Sequence, residues 1–255
     1  MMDINKPLIL ISNDDGWQAK GINELIKTLR GVGEIIVMAP DGPRSGSACA
    51  MTSERPVRFT KVTEEEGVAI YKCTGTPTDC VKLALHVMPR RPDLVIGGIN
   101  HGDNSSVNVH YSGTMGVVLE GCMKGIPSVG FSLCDHDSDA DFTPMLPFVK
   151  KIVEKVLAYG LPKGVCLNVN APVSSAYEGV RICRQTDGAW ENEWKACSHP
   201  RGGEYYWLTG NYRITEDLTT DCDHWALNHH YIAVTPIQVD MTAYSFLEDL
   251  KRWEL

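Results

Sequence analysis

Through the first two thirds of the chain, short unbroken apolar runs alternate with stretches whose apolar residues recur every three or four positions. PLILIS (7–12) predicts a strand covered on both faces. Ile22, Leu25, Ile26 and Leu29 follow at helical spacing in GINELIKTLRGVG, whose closing glycines suit a C-cap. EIIVMAP (34–40) is a second buried strand. A glycine- and serine-rich segment, DGPRSGSACAMTS, leads from it to RPVRFTKV, whose alternation predicts an exposed antiparallel hairpin. GTPTDCVKLALHV reads as a loop entering a helix capped by Thr78 or Asp79. PDLVIGGIN is a third buried strand, YSGTMGVVLEGCMKG opens a helix on small polar residues, and IPSVGFSL is a fourth strand. Met145, Val149, Ile152, Val153 and Val156 mark one face of a helix over 143–159, and GVCLNVNAP gives a fifth strand.

Strands alternating with helices predict an α/β fold: a Rossmann-like three-layer sandwich with a mostly parallel sheet. Past Pro172 the pattern changes. Trp190, Trp194, Tyr205, Tyr206, Trp207 and Tyr212 stand among turn formers without helical periodicity, which predicts a β-hairpin or arm extension. The chain therefore divides into a Rossmann-like core over 1–172 and a hairpin and arm extension over 173–255 for oligomerisation. Within the extension a strand near 229–240 is able to return to the core, and SFLEDLKRWEL forms a short terminal helix. The extension's rings are expected to bury themselves against a second copy, giving a homodimer or homotetramer.

Composition narrows the classes. No apolar run approaches the eighteen or so residues that span a bilayer, so no membrane role is expected. The opening MMDINKPLILIS lacks a signal-type apolar region, which points to the cytoplasm. Nine cysteines, odd in number and without a CxxC, read as reduced and mostly buried thiols. A formal net charge of -8 argues against a nucleic-acid polymer as partner, but leaves room for a small anion held through a metal and backbone amides.

In open parallel sheets, ligands bind beyond the carboxyl ends of the strands. Asp14 and Asp15 follow the first strand, Ser45 follows the second, Asn100 ends the third, and Ser112, Gly113 and Thr114 open a helix. Two carboxylates, a hydroxyl and an amide oxygen form an all-oxygen set suited to a hard divalent cation. Singly, each has an ordinary structural use: NDDG is a common turn, and Ser112 and Thr114 are common helix caps. No GxGxxG follows the first strand, and neither GxxxxGK[ST] nor GxSxG occurs, so dinucleotide, P-loop and serine-hydrolase readings lack support. His229 and His230 are adjacent, would face opposite ways on a strand, and are read as structural.

The fragments SNDDG, APDGPRSGSACAMT, GTPTDCVKLAL, PDLVIGGINHGDN, YSGTMGVVLEG, LNVNAP and YIAVTPIQVD occur in the order and approximate spacing of the SurE family of survival-protein nucleotidases, which the chain resembles from Leu8 to Asp240. The resemblance implies a Rossmann-like core that oligomerises through a C-terminal hairpin. It also implies a phosphatase acting on nucleoside 5′- and 3′-monophosphates, with short polyphosphate a further substrate. One divalent cation per subunit, Mg²⁺ or Mn²⁺ with Ca²⁺ as a further candidate, would fall on Asp14, Asp15, Ser45 and Asn100. Phosphate contacts would fall on Ser112, Gly113 and Thr114, with Asn104 nearby. Asp14 and Asp15 are also the candidates for orienting an attacking water, and the choice between ligand and base stays open. A covalent aspartyl-phosphate route has less support, since no second carboxylate lies two residues on in a DxD pattern. The rival reading is a metal-dependent nucleotide-binding regulatory module without turnover.

Four positions depart from the family pattern. Cys49 stands where histidine is common, Asn108 where an acid is frequent, and His230 where glycine is usual. Gly97 replaces a common serine, a change expected to alter the loop before Asn100 more than the ligand set.

Overall fold

Why the first apolar run lacks a polar face is plain in the computed structural model, which describes residues 5–253. In β1 (Leu8–Ser12), Ile9 and Ile11 join one apolar cluster while Leu8 and Leu10 join another on the opposite face. Each face is covered by helices, so alternate side chains both require apolar character. Residues 1–4, part of the segment from which a leader-free start was read, lie outside the described residues.

Helix α1 (Lys20–Leu29) buries Ile22, Leu25, Ile26 and Leu29 against the Ile9 face and leads to β2 (Glu34–Pro40). The hairpin predicted at RPVRFTKV forms from β3 (Phe59–Glu65) and β4 (Val68–Cys73), antiparallel to one another. Its second strand, unread in the sequence, lies parallel to β2. Helix α2 (Pro77–Val87) is capped by Thr76 instead of Thr78 or Asp79. The Thr76 hydroxyl accepts from the Asp79 N–H, and the Asp79 carboxylate accepts from the Thr76 N–H, a reciprocal box that places Asp79 inside the first turn.

The chain then crosses to the other side of β1 as β5 (Leu94–His101), followed by α3 (Gly113–Met123), β6 (Ser128–Leu133), α4 (Leu146–Tyr159) and β7 (Val165–Ala171). Strands β4, β2, β1, β5, β6 and β7 run parallel in that spatial order. Helices α1 and α4 cover one face; α2 and α3 cover the other. The order reverses between β1 and β5, a switch point at which an open sheet leaves a crevice.

Beyond β7, β8 (Gly179–Ile182) precedes two small antiparallel ribbons, in which β9 (Gly188–Glu191) pairs with β12 (Asn211–Ile214) and β10 (Trp194–Ser198) with β11 (Glu204–Leu208). Helix α5 (Asp223–Asn228) follows, then β13 (Tyr231–Gln238), which returns to the main sheet antiparallel to β7 and parallel to β8. A terminal helix, α6 (Leu247–Lys251), ends the ordered elements. His229 and His230 sit at the end of α5, not on a strand. His229 stacks on Trp225 at 3.9 Å, and His230 takes φ 59°, a left-handed conformation that glycine adopts at lower cost.

No helix among the described residues is long and apolar enough to cross a membrane. All nine cysteines are free thiols; Cys49 is exposed, Cys134 and Cys197 are half-buried, and the others are buried.

Candidate active site

A cleft of about 400 Å³ opens at the switch point, and Asp14, Ser45, Asn100, Asn104 and Ser112 all line it. Its walls come from the ends of β1 and β5, the loop after β2, and the start of α3.

Asp14 is nearly covered, at 4% exposure. Its Oδ1 accepts from the Thr114 hydroxyl at 2.6 Å. Burial pushes its pKa up to about 6, the Thr114 hydrogen bond opposes that rise, and neighbouring Asp15 adds to it. Asp15 is half-buried, and burial raises its pKa too, against a hydrogen bond from the His101 backbone N–H at 3.2 Å. The Asp14 carbonyl accepts from the Arg44 N–H at 2.7 Å, tying the Ser45 loop to the end of β1. Ser45 itself is exposed at the lip. Asn100 is brought in by an irregularity: the pairing of β5 with β6 shifts register between Gly97 and Asn100, and the Asn100 amide then donates to the Gly102 carbonyl at 2.9 Å.

Ser112 is the N-cap of α3, its hydroxyl accepting from the Met115 N–H at 3.0 Å. Gly113 and Thr114 face Asp14. A Cβ on Gly113 would fall 2.7 Å from the Asp14 Cβ and 2.6 Å from the Ser47 Oγ, so glycine is what lets the helix end approach the carboxylate. Asn104 stands on a buried amide ladder. Its Nδ2 donates to the Ser132 Oγ at 2.7 Å, its N–H donates to the Asn170 Oδ1 at 2.9 Å, and its carbonyl accepts from the Asn168 Nδ2 at 2.7 Å.

Gly97 lies within β5, not in a loop, and a Cβ there would meet the Thr114 carbonyl at 2.6 Å. The departure at this position therefore concerns how closely α3 approaches the sheet. Cys49, although on the same loop as Ser45, does not line the cleft.

Several lining residues were not singled out as site residues in the sequence: His101, Asp103, Tyr111, His136, Trp190 and Tyr212. Asn108, noted only as a departure, lines it as well. Two of the rings expected at a subunit interface, Trp190 and Tyr212, thus line the cleft. Trp190 donates through Nε1 to the Asn108 Oδ1 at 2.9 Å, and the Tyr212 hydroxyl donates to the Ser106 Oγ, so the β9–β12 ribbon is latched onto the 3₁₀ turn Ser106–His110. The remaining aromatics of the expected interface, Trp194, Tyr205, Tyr206 and Trp207, are exposed.

The donor chemistry fits a hard divalent cation: two carboxylates, a hydroxyl and an amide oxygen, with no sulfur or imidazole in the set. Among the described residues no three of His, Cys, Asp and Glu gather in a metal-holding group, so a softer site is not offered elsewhere. No Lys or Arg lines the cleft, whereas Asp14, a carboxyl of raised pKa, does; Asp15, raised as well, adjoins it in the chain without lining the cleft. A cation is what would relieve their repulsion.

A covered parallel sheet with a polar, oxygen-rich cleft at its switch point defines an α/β protein built to take a small ligand beyond its strand ends. The family is given by comparison. A family model described as survival protein SurE matches residues 9–192. A protein of Phocaeicola vulgatus named 5′-nucleotidase SurE is 67% identical over 255 residues, covering 100% of this chain and 99% of its own. Its namesake in Bacteroides fragilis is 56% identical, with 100% of both chains covered. The crystal structure of a SurE protein from Aquifex aeolicus matches with a TM-score of 0.83 at 33% identity, over 98% of this chain and 100% of that one. The chain belongs to the SurE family.

Proposed function

We propose that this chain is a divalent-metal-dependent nucleotidase that hydrolyses nucleoside 5′-monophosphates, and 3′-monophosphates and short polyphosphate as well. One observation carries the reading: a cleft lined by Asp14, Ser45, Asn100 and Ser112 at the sheet's switch point contains no Lys or Arg. An anionic phosphate would meet the Asp14 carboxylate there, with the charge of Asp15 next in the chain, unless a cation stood between them.

Asp14, Asp15, Ser45 and Asn100 would hold that cation, with Mg²⁺ or Mn²⁺ the best match and Ca²⁺ next. When bound, it supplies Lewis-acid stabilisation of the charge developing on the phosphoryl oxygens. The chain's own residues do the rest. Thr114 and Gly113 fix the Asp14 carboxylate in one orientation, and the His101 N–H does the same for Asp15. Ser112, at the positive end of α3, and Asn104 face the phosphate, offering hydroxyl and amide donors. Asp14, which lines the cleft, or Asp15 beside it would orient an attacking water. The names of the relatives, 5′-nucleotidase SurE, support the same activity.

The exposed rings on the β10–β11 ribbon support a homodimer or a dimer of dimers. Sedimentation of the full chain tests the assembly; a monomer at micromolar concentration would count against it.

The activity is tested by phosphate release from 5′-AMP and 3′-AMP by chelator-stripped protein, before and after Mg²⁺ or Mn²⁺, alongside Asp14→Asn. Release should require metal in the parent and be absent in the variant. Metal-independent release, or none from either nucleotide despite metal binding, would sink the proposal; nucleotide binding without turnover would leave the regulatory-module reading.

A further inference from the structure

Resting on the nucleotidase reading, we infer that Trp190 is the platform on which the substrate's base stacks, and that Asn108 is the residue that positions it. The cleft is far larger than a phosphoryl group needs, and its lining is divided. Oxygen and amide groups gather at the strand ends, while Trp190, Tyr212 and Tyr111 supply aromatic surface in the same cleft.

Trp190 is held as a binding surface is held. Its polar edge is occupied, Nε1–H donating to the Asn108 Oδ1 at 2.9 Å. The Asn108 Nδ2 donates in turn to the Asp103 Oδ2 at 3.4 Å, so the amide's orientation is set from both ends. Tyr212 packs against the indole at 5.7 Å with the rings inclined by 64°, and is itself stacked on His224 at 5.1 Å. Despite these supports Trp190 keeps 37% of its surface exposed. A ring serving only to anchor the ribbon would gain by being covered. An oriented indole left open in a cleft is suited to a planar partner, which loses little freedom by stacking on it.

A phosphate at the acidic end and a base on Trp190 would together distinguish nucleotides from phosphorylated molecules that lack an aromatic group. Stacking is tolerant of base identity because every base has a π face, with the larger purines gaining more.

The test is steady-state kinetics of the full chain with Mg²⁺ on 5′-AMP and on ribose 5-phosphate, which carries the same ester without the base. In Trp190→Ala the ratio of kcat/KM for 5′-AMP to that for ribose 5-phosphate should fall about 10- to 100-fold, chiefly through KM for 5′-AMP. Trp190→Phe should recover most of the ratio, showing that a folded protein with an aromatic ring suffices. Asn108→Ala, which frees the indole edge, should lower the ratio by a smaller factor. A ratio within twofold of the parent in Trp190→Ala, or equal losses in the Ala and Phe variants, would overturn the assignment. Should the parent release phosphate from neither substrate, the nucleotidase reading fails. Calorimetric binding of 5′-AMP would then decide this inference separately: equal affinity in the parent and Trp190→Ala, or no binding to either, overturns it, and weakened affinity in the variant upholds it.

Discussion

Replacing Asp14 by asparagine should make the metal-free protein more stable while removing its activity. The carboxyl is 4% exposed, and its pKa stands at about 6 against an ordinary 3.8. At about 1.4 kcal/mol for each tenfold in proton affinity, holding it ionised in the folded state costs up to about 3 kcal/mol. The sign follows from the direction. A carboxyl whose pKa is raised on folding favours the folded state at low pH, where it is protonated, and that contribution is lost as pH rises from about 4 through about 6. At pH 8 the full penalty applies, and at pH 5 roughly half of it. Asparagine keeps an oxygen to accept from Thr114 and carries no charge, so it should recover much of this. In chelator at pH 8, Asp14→Asn should melt higher than the parent by several degrees, up to about 10 °C at the 2–4 °C per kcal/mol expected for this size. The gap should roughly halve at pH 5. Adding Mg²⁺ should raise the parent's Tm and leave the variant's nearly unchanged. Differential scanning calorimetry of both proteins measures all three conditions. A variant that melts lower than the parent in chelator at both pH values would refute the argument, because Asp14 would then be a structural carboxylate stabilised by its partners.

Other outcomes follow from single contacts. Thr114→Val removes the hydroxyl donated to Asp14 inside the protein, so phosphate release should fall at least tenfold with a stability loss of about 1–3 kcal/mol, measured by kinetics and urea unfolding. Gly113→Ala drives a methyl against Asp14 and Ser47; a cost of about 1–3 kcal/mol and loss of metal affinity by titration calorimetry are expected, and parent-like affinity would show that the helix end has room to shift. His230→Gly relieves a left-handed backbone and should stabilise the protein by roughly 0.5–1 kcal/mol in the same unfolding assay.

That Asp14, Ser45, Asn100 and Ser112 would share one cleft was legible because it follows from topology. Once PLILIS, EIIVMAP and PDLVIGGIN are read as parallel strands, Asp14, Ser45 and Asn100 must lie at one edge, and an N-capping Ser112 must face the same edge. The aromatic end was not legible in this way. Trp190 reaches Asn108 across 82 positions, and Tyr212 reaches Ser106 across 106, with no periodic pattern to announce either contact. The available signal was a tryptophan in a turn-rich segment, which reads equally as interface and as cleft wall. The Thr76 cap was missed for a local reason: the box puts the acidic partner three residues inside the helix, and the hydroxyl just before Pro77 does the capping. Strand β8 and helix α5 are too short for hydrophobic spacing to reveal them.

The amide ladder beneath Asn104 has a kinetic consequence. With its backbone N–H and carbonyl both engaged, its Nδ2 donating to Ser132, and the Asn170 amide itself donating to Asn168 at 2.9 Å, Asn104 is tied to its neighbours by both main chain and side chain. On the proposed function, an anion entering the cleft would find its dipole already aimed, with little reorganisation of the protein needed as charge develops during bond cleavage. The floor of the cleft thus works as a template whose ordering was completed during folding. Thinning the ladder, for example at Asn168 inside β7, should slow turnover more than it weakens the capture of substrate.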